Sequence, residues 1–339
     1  MIARNPTFII AEVGLNHNGD FEIAQESILR AAEAGCDAVK FQNFKTEDFI
    51  QDRSQLFTYQ SQGQEVTEPF YDLCKRNEFK REWLGPLKKL CDNNQVEFLS
   101  TPTSSEGIDD LRAAGCRHVK NGSDYLTHTP LLTAMAKSGM TVILSTGMAD
   151  QADIEAAISA LGDASPERTI LLHCTSSYPT PPEAVNLNKM IELAKKFKVP
   201  VGFSDHTEGY HAAVQAVTLG ATVIEKHFTL DHNFPGPDHW FSSEPEEMTE
   251  LVSQIRLAER RMGKSDIRPA DIEYKTRDEF RVGVVADADL ASGRVLNQGD
   301  FAFRKPCKGI LPKDIEGYIG RTLNKAIPRN QPLHSRDFE

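Results

Sequence analysis

Along the first 262 residues, short apolar runs alternate with longer stretches in which apolar positions recur at helical spacing. The runs at 7–13, 38–42, 97–100, 118–120, 141–145, 170–174, 201–204 and 223–228 read as strands. The stretches 21–34, 80–93, 105–114, 129–137, 151–161, 188–197, 210–219 and 245–262 read as helices. A polar insertion runs from about 43 to 78 between the second strand and the second helix. Gly35, Gly115, Gly139 and Gly220 close their helices where a left-handed cap is expected. Continuous apolar strands alternating with helices predict a parallel sheet, and eight units in order predict a closed barrel. The structural alternative is a doubly wound sheet. That fold wants a Gly-x-Gly-x-x-Gly turn after its first strand, and Gly14-Leu15-Asn16-His17-Asn18-Gly19 lacks one.

The pattern changes after Gly263. Residues 264–281 are polar and charged and read as a linker, and 282–339 carry short strands and turns without a long amphipathic helix. The tail holds an internal echo: 290–301 (LASGRVLNQGDF) resembles 327–338 (IPRNQPLHSRDF). Gly293 and Asn330 take equivalent places, and both residue types tolerate positive φ in a turn. The expectation is a barrel domain over 1–263 and a small β-rich domain with pseudo-twofold halves.

Composition narrows the class. At 339 residues with 40% hydrophobic and 26% charged positions, the chain can bury a large core without disulfides. The six cysteines, Cys36, Cys74, Cys91, Cys116, Cys174 and Cys307, form no C-x-x-C pair and read as buried small hydrophobes in a reducing compartment. A net charge of −11 argues against a nucleic-acid footprint. The N-terminus lacks the pattern of a signal peptide, and no stretch approaches the ~18 apolar residues of a membrane span. The expected setting is the cytoplasm.

In a (β/α)8 barrel the chemistry sits at the C-terminal ends of the strands. Those ends carry Glu12, Lys40 and Gln42, Ser100 and Thr101, Lys120 with Ser123, Ser145 and Thr146, His173, Ser204 with Asp205 and His206, and Glu225 with Lys226 and His227. Singly, a serine there caps a helix and a lysine is solvated. As a set, two lysines with several hydroxyls and helix N-termini make an anion site. His206 and His227 lie on adjacent strands, each within two residues of an acid. They are either satisfied core histidines or a pair of imidazole ligands that leaves coordination positions open. The residues alone leave both readings standing. Gly236-Pro237-Asp238-His239 is likewise either a turn or a substrate-gripping loop.

These stretches together resemble the sialic acid synthase family, which makes nonulosonic acids. The matching segments are IIAEVGLNHNGD (9–20), DAVKFQNFK (37–45), FLSTPTS (98–104), ILSTGMAD (143–150), LLHCTSSYPTPPEAVNL (171–187), GFSDHTEG (202–209), VIEKHFTLD (223–231) and GPDH (236–239). The resemblance implies a (β/α)8 TIM barrel followed by an antifreeze-like (SAF) domain. It also implies a homodimer in which the SAF domain of one copy reaches the partner's active site. The implied reaction is a metal-dependent condensation of phosphoenolpyruvate with an N-acetylmannosamine-type aldose, releasing phosphate. Carried over by motif, His206 and His227 hold Mn²⁺ or Mg²⁺. Lys40, Lys120, Thr101, Ser123, Ser145 and Ser204 surround phosphoenolpyruvate. Glu12 handles the proton of the water or of the tetrahedral intermediate. Glu225, counted with Glu12, Lys40 and Lys120 in the catalytic set, faces the sugar or the metal's water, as do Gln42, Tyr178 and Asp238.

Three positions depart from the family's usual pattern. Ser176 stands where sialic acid synthases proper carry asparagine. The tail motif reads Arg304-Lys305-Pro306-Cys307-Lys308-Gly309, so Lys305 takes the place of the arginine that reaches the sugar's acyl group. Lysine cannot reproduce a guanidinium fork. The usual G-S-G-E is Gly122-Ser123-Asp124-Tyr125. These changes lie mainly near the sugar end and make a 2,4-diacetamido-trideoxyhexose, as in legionaminic- or pseudaminic-type acids, the alternative to N-acetylmannosamine. Other readings are a related barrel synthase for a phosphorylated sugar, a non-catalytic carbohydrate-binding relative, and a hydride-transfer enzyme. The first would need a second basic cluster, the second is opposed by the intact charged set, and the third lacks a dinucleotide fingerprint.

Overall fold

The computed structural model describes residues 6–162 and 166–339. It divides into two compact units, Met1–Gly263 and Lys264–Glu339. In the first, the strands are β1 (Phe8–Gly14), β2 (Ala38–Asn43), β3 (Leu56–Ser61), β4 (Gln64–Pro69), β5 (Glu97–Pro102), β6 (His118–Asn121), β7 (Thr141–Ser145), β8 (Thr169–Cys174), β9 (Val201–Asp205) and β10 (Val223–His227). All except β3 and β4 form one parallel sheet in the order β5-β2-β1-β10-β9-β8-β7-β6. The first strand pairs with both the second and the last. That adjacency closes a barrel and excludes the doubly wound alternative, in which β1 and β10 would not be neighbours. The ring is near-closed, since β5 and β6 stand side by side without a hydrogen-bond ladder.

Alternation along each strand sorts the apolar residues into two shells. Ile10, Ala38, Leu99, Ile143, Leu172 and Val223 fill the barrel interior. Their neighbours Ile9, Ala11, Val39, Phe98, Val142, Leu144, Leu171 and Ile224 belong to a larger shell under the helices. Gly35, Gly115, Gly139 and Gly220 all adopt the expected left-handed backbone.

The polar insertion is more ordered than its composition predicts. It holds a helix at Thr46–Phe49, the antiparallel hairpin β3–β4 and a helix at Phe70–Arg76. The hairpin turns through Gln62 and Gly63, with φ of 52° and 74°. Positive φ at both positions is the two-residue turn that matches strand twist. Glutamine in the place usually held by Asn or Asp hid that signal, and the largely exposed strands show no apolar alternation.

The second unit contains a helix at Glu273–Phe280 with no buried residue, inside the stretch expected to be a linker. Beyond it, β11 (Gly283–Ala286) pairs antiparallel with β12 (Phe301–Arg304). The echo is structural. Leu290 and Ile327, equivalent in the two repeats, exchange backbone hydrogen bonds in both directions. Asp300 accepts from Asn297 N, and Asp337 accepts from His334 N, each at 2.8 Å. Leu296 and Leu333 both enter this unit's own core.

Candidate functional site

One step of two residues above the interior apolar layer, the same inward parity brings polar groups together. Glu12 follows Ile10, Lys40 follows Ala38, Thr101 follows Leu99, Ser145 follows Ile143, Cys174 follows Leu172 and Glu225 follows Val223. Lys120 and Ser204 complete the ring. Lys40 Nζ lies 2.9 Å from Glu12 Oε1 and 3.4 Å from Glu225 Oε1. It also donates to Thr101 Oγ1 at 3.3 Å. Lys120 Nζ donates to Ser145 Oγ at 2.7 Å and sits 3.7 Å from Glu225 Oε1. Gln42 donates to Glu12 Oε1 at 2.8 Å, and Ser204 Oγ donates to Glu225 Oε1 at 3.4 Å. Glu12, Lys40, Lys120 and Glu225 are each at most 5% exposed.

The parity also removes residues from the set. Ser100 donates to Asn43 Oδ1 and the Phe41 carbonyl, and His173 reaches the Val185 carbonyl and stacks on Phe203. Asp205 and Lys226 pair with each other on the outward face. The acid beside His206 in sequence is therefore not beside it in space, because adjacent residues of a strand point to opposite sides.

Burial and charge push the two central carboxyls apart. Burial raises Glu12 above the usual glutamate range, and nearby Glu225 reinforces this against the pull of Lys40. Burial also acts to raise Glu225, but Lys120 and Lys40 overcome it and hold the carboxyl low. Burial lowers Lys120 more than Glu225 raises it. For Lys40, burial acts downward and the two glutamates outweigh it. The two central carboxyls thus differ in proton affinity, Glu12 held high and Glu225 held low. Glu12 Oε2 and Glu225 Oε2 have no hydrogen-bond partner and are free for a ligand.

Beside this layer lies a hydroxyl cradle. Ser123 Oγ accepts from Gly147 N at 3.0 Å and donates to Cys174 Sγ at 3.6 Å. Ser176 Oγ is buried without a partner. A Cβ on residue 147 would stand 2.3 Å from Ser176 Oγ and 2.7 Å from Ser123 Oγ, so the space between these hydroxyls exists only with glycine there. Cys174, expected to be an inert core thiol, is buried as predicted but faces into the cradle. The parity of β8 would have placed it there once strand direction was known.

His206 and His227 emerge together, with ring centroids 5.4 Å apart. His206 Nδ1 lies 2.8 Å from the Thr175 carbonyl, which assigns the proton to that nitrogen, and Nε2 carries the lone pair, 3.4 Å from Ser204 Oγ. A backbone carbonyl holding the far nitrogen is the usual support of a metal-binding imidazole. Burial and the neighbouring His206 push His227 well below the ordinary histidine range, so it is a neutral donor. Its Nδ1 has no hydrogen-bond partner, and Asp238 Oδ2 is 3.8 Å away. Burial and then Glu12 raise the Asp238 carboxyl to about 7, against the pull of His206. Among the described residues, no three His, Cys, Asp or Glu groups form a cage by themselves. The two imidazoles nevertheless fit a divalent transition metal whose other positions go to water or substrate. Tyr178, half exposed, packs its ring 4.2 Å from His206 and 5.7 Å from His227 and walls this side. Lys305 belongs to the second unit, where it is exposed and its Nζ lies 5.7 Å from the centroid of the Phe280 ring.

The NeuB family model matches residues 27–266, and the SAF domain model matches 281–339. The N,N'-diacetyllegionaminic acid synthase of Legionella pneumophila is 38% identical over 96% of this chain and 93% of its own length. The human N-acetylneuraminate-9-phosphate synthase is 31% identical over 97% of this chain and 92% of its own. The crystal structure of an N-acetylneuraminic acid synthetase from Leptospira borgpetersenii, 34% identical, superposes with a TM-score of 0.72 over 80% of this chain and 90% of that one.

Proposed function

The chain belongs to the NeuB family, and on that premise we propose that it condenses phosphoenolpyruvate with an N-acylated amino-sugar aldose to a nonulosonic acid, releasing phosphate. The observation that carries this reading is the buried Glu12–Lys40–Glu225–Lys120 layer beside the two imidazoles. Phosphoenolpyruvate is a small trianion, and a dehydrated pair of lysines flanked by hydroxyls is what such an anion needs. Lys40, Lys120, Thr101, Ser123, Ser145, Ser176 and Ser204 hold it. In the reaction the C2=C3 π pair of phosphoenolpyruvate bonds C3 to the aldehyde carbon. The C=O π pair moves onto the aldehyde oxygen, which takes up a proton to become a hydroxyl, and the oxygen of water bonds to C2. The C2–O bond then breaks and phosphate departs with the electron pair. Glu12 takes the proton of the incoming water. Glu225 stays ionised and keeps the two lysines charged at the dianionic phosphate. Gln42, Tyr178 and Asp238 orient the sugar.

His206 and His227 are the residues that would hold Mn²⁺ or Mg²⁺; when bound, the cation polarises the aldehyde oxygen. Imidazole donors favour Mn²⁺ of the two. We assign residues 1–263 to catalysis and 264–281 to the linker. The SAF domain, 282–339, then presents Lys305 to the sugar of a second copy in a homodimer. For the aldose we favour a 2,4-diacetamido-2,4,6-trideoxyhexose. Identity is higher to the Legionella legionaminic acid synthase, 38%, than to the human N-acetylneuraminate-9-phosphate synthase, 31%. Ser176 and Lys305 are the departures nearest the sugar. No helix among the described residues is long and apolar enough to cross a membrane. Free cysteines and a glycolytic co-substrate fit work in the cytoplasm.

The test is phosphate release from phosphoenolpyruvate with Mn²⁺, with and without EDTA, offering N-acetylmannosamine and 2,4-diacetamido-2,4,6-trideoxymannose separately. Release that requires both metal and sugar, with kcat/KM at least tenfold higher for the diacetamido sugar, is expected. Preference for N-acetylmannosamine would overturn the choice of sugar, and no release from folded, metal-loaded protein with either would overturn the reaction.

A further inference from the structure

Asp205 and Lys226 take no part in the reaction as described. Their carboxylate and ammonium are nevertheless almost wholly buried, at 0% and 3% side-chain exposure, and 3.2 Å apart. A buried ion pair contributes little net stability over apolar residues of similar volume, because dehydrating both charges offsets their attraction. The neighbours on that outward face, Phe203 and Ile224, belong to the apolar shell under the helices. Stability alone gives no reason for charges at this place.

Their position supplies one. The β10–β9 ladder ends at the pair Lys226↔Asp205. His227 and His206 are the next residues on each strand, just past that last rung. On its other side His227 is tied down, because the β1–β10 ladder continues to Glu12↔His227 and the His227 carbonyl accepts from Ser243 N at 2.8 Å. No backbone ladder of this kind joins His206 to His227. What spans the gap is the ion pair with Thr207. Asp205 Oδ1 accepts from Thr207 N at 2.9 Å and from Thr207 Oγ1 at 2.7 Å. Lys226 Nζ donates to the Thr207 carbonyl at 2.6 Å. Thr207 is thus held from both strands at once, and with it the peptide that follows His206. The His206 carbonyl accepts from Thr180 N at 2.7 Å, which fixes its other side.

We propose that the Asp205–Lys226 pair, acting through Thr207, is a positioning device that sets the separation and orientation of His206 and His227 for one divalent cation. This rests on reading the two imidazoles as cation ligands. Neither residue touches the cation or the substrates. They act from behind the strands by extending the β9–β10 tie one residue past its last rung. A pair of imidazoles without a third protein ligand depends on such support, since small changes in backbone register alter whether both lone pairs converge.

The experiment measures Mn²⁺ affinity by electron paramagnetic resonance of free Mn²⁺, with thermal melts of the metal-free protein in parallel. The full-length chain would be compared with the Asp205→Asn/Lys226→Met double variant, with Thr207→Val, and with His206→Ala as the ligand-loss reference. The double variant removes both charges together and so leaves no lone buried ion. Its Mn²⁺ Kd is expected to rise about tenfold, and that of Thr207→Val by about threefold, while the metal-free proteins still melt cooperatively. An unchanged Kd in the folded double variant, with binding lost in His206→Ala, would overturn the positioning role and leave the cation site intact. If the double variant does not fold, an unchanged Kd in Thr207→Val overturns it. Wild-type protein that binds no Mn²⁺ would overturn the cation reading itself, and the proposal with it.

Discussion

Two layers of the same barrel, one step of two residues apart on the same strands, have opposite chemistry. The lower is Ile10, Ala38, Leu99, Ile143, Leu172 and Val223. The upper is Glu12, Lys40, Thr101, Lys120, Ser145, Ser204 and Glu225. Apart from the half-buried Thr101, both are buried to a similar degree. At about 3.3 Å of rise per residue they are separated by only about 6.6 Å. The lower layer meets no ligand and gains by excluding water. The upper holds four charges that must be dehydrated whether or not a substrate is present, and their mutual pairing offsets that only in part. Burial alone therefore does not distinguish core from site. What the upper layer and its surroundings add is a cluster of buried polar atoms without partners: Glu12 Oε2, Glu225 Oε2, Ser176 Oγ and His227 Nδ1.

The contrast predicts that changes above affect rate and changes below affect stability. The largest effect belongs to Lys120→Met. Burial already disfavours this charge, and Glu225 keeps Lys40 as partner. Phosphate release should fall about 10³-fold, comparable to losing a major electrostatic stabiliser of a transition state. The melting temperature should stay level or rise. Steady-state phosphate release and thermal melts check both halves, and a large loss of stability would break the comparison. Next comes Leu99→Ala in the lower layer, where a fully packed side chain leaves a cavity. Urea denaturation should show a loss of about 2–5 kcal/mol. The folded fraction should keep its KM values within about twofold; a shifted KM would mean that the layers are not independent.

The smallest effect lies at the opposite, N-terminal end of the barrel. Glu97 meets Arg117, and His118 Nδ1 lies 2.7 Å from Glu97 Oε2. Burial acts to raise the Glu97 carboxyl, but His118 and then Arg117 more than reverse this, so it sits below the ordinary range. A depressed carboxyl stabilises the fold above its unfolded pKa, about 4.3, and that contribution is lost as pH falls through the lower folded value. Glu97→Gln should therefore lose about 0.5–1 kcal/mol at pH 7. The gap to wild type should close as pH is lowered below about 4. Urea melts across that range, with no change in phosphate release at pH 7, would sharpen the contrast between the two ends.

Most of the architecture and much of the site were legible in the linear chain, because the signals involved are local. Apolar periodicity, helix-closing glycines and polar strand ends each span a few residues. Together they marked the eight barrel strands, their helices and a list of polar strand ends, from which the family resemblance singled out Glu12, Lys40, Lys120, Glu225, His206 and His227. The repeat between 290–301 and 327–338 was likewise visible as sequence and returns as paired backbone and matched aspartate caps. The hairpin β3–β4 escaped because its strands are largely exposed and need no apolar alternation. Only the tertiary structure decided which strand-end polar residues look inward. Alternation is readable in the chain, but its phase has no meaning until the strands are wound into a ring. That phase turned Ser100, His173, Asp205 and Lys226 away and brought Cys174 in. Contacts such as Ser123 with Gly147, Tyr178 with His206, and Asp238 with His227 join residues from different loops. They exist because the ring carries those loops to one mouth, and no short-range pattern encodes a distance between them.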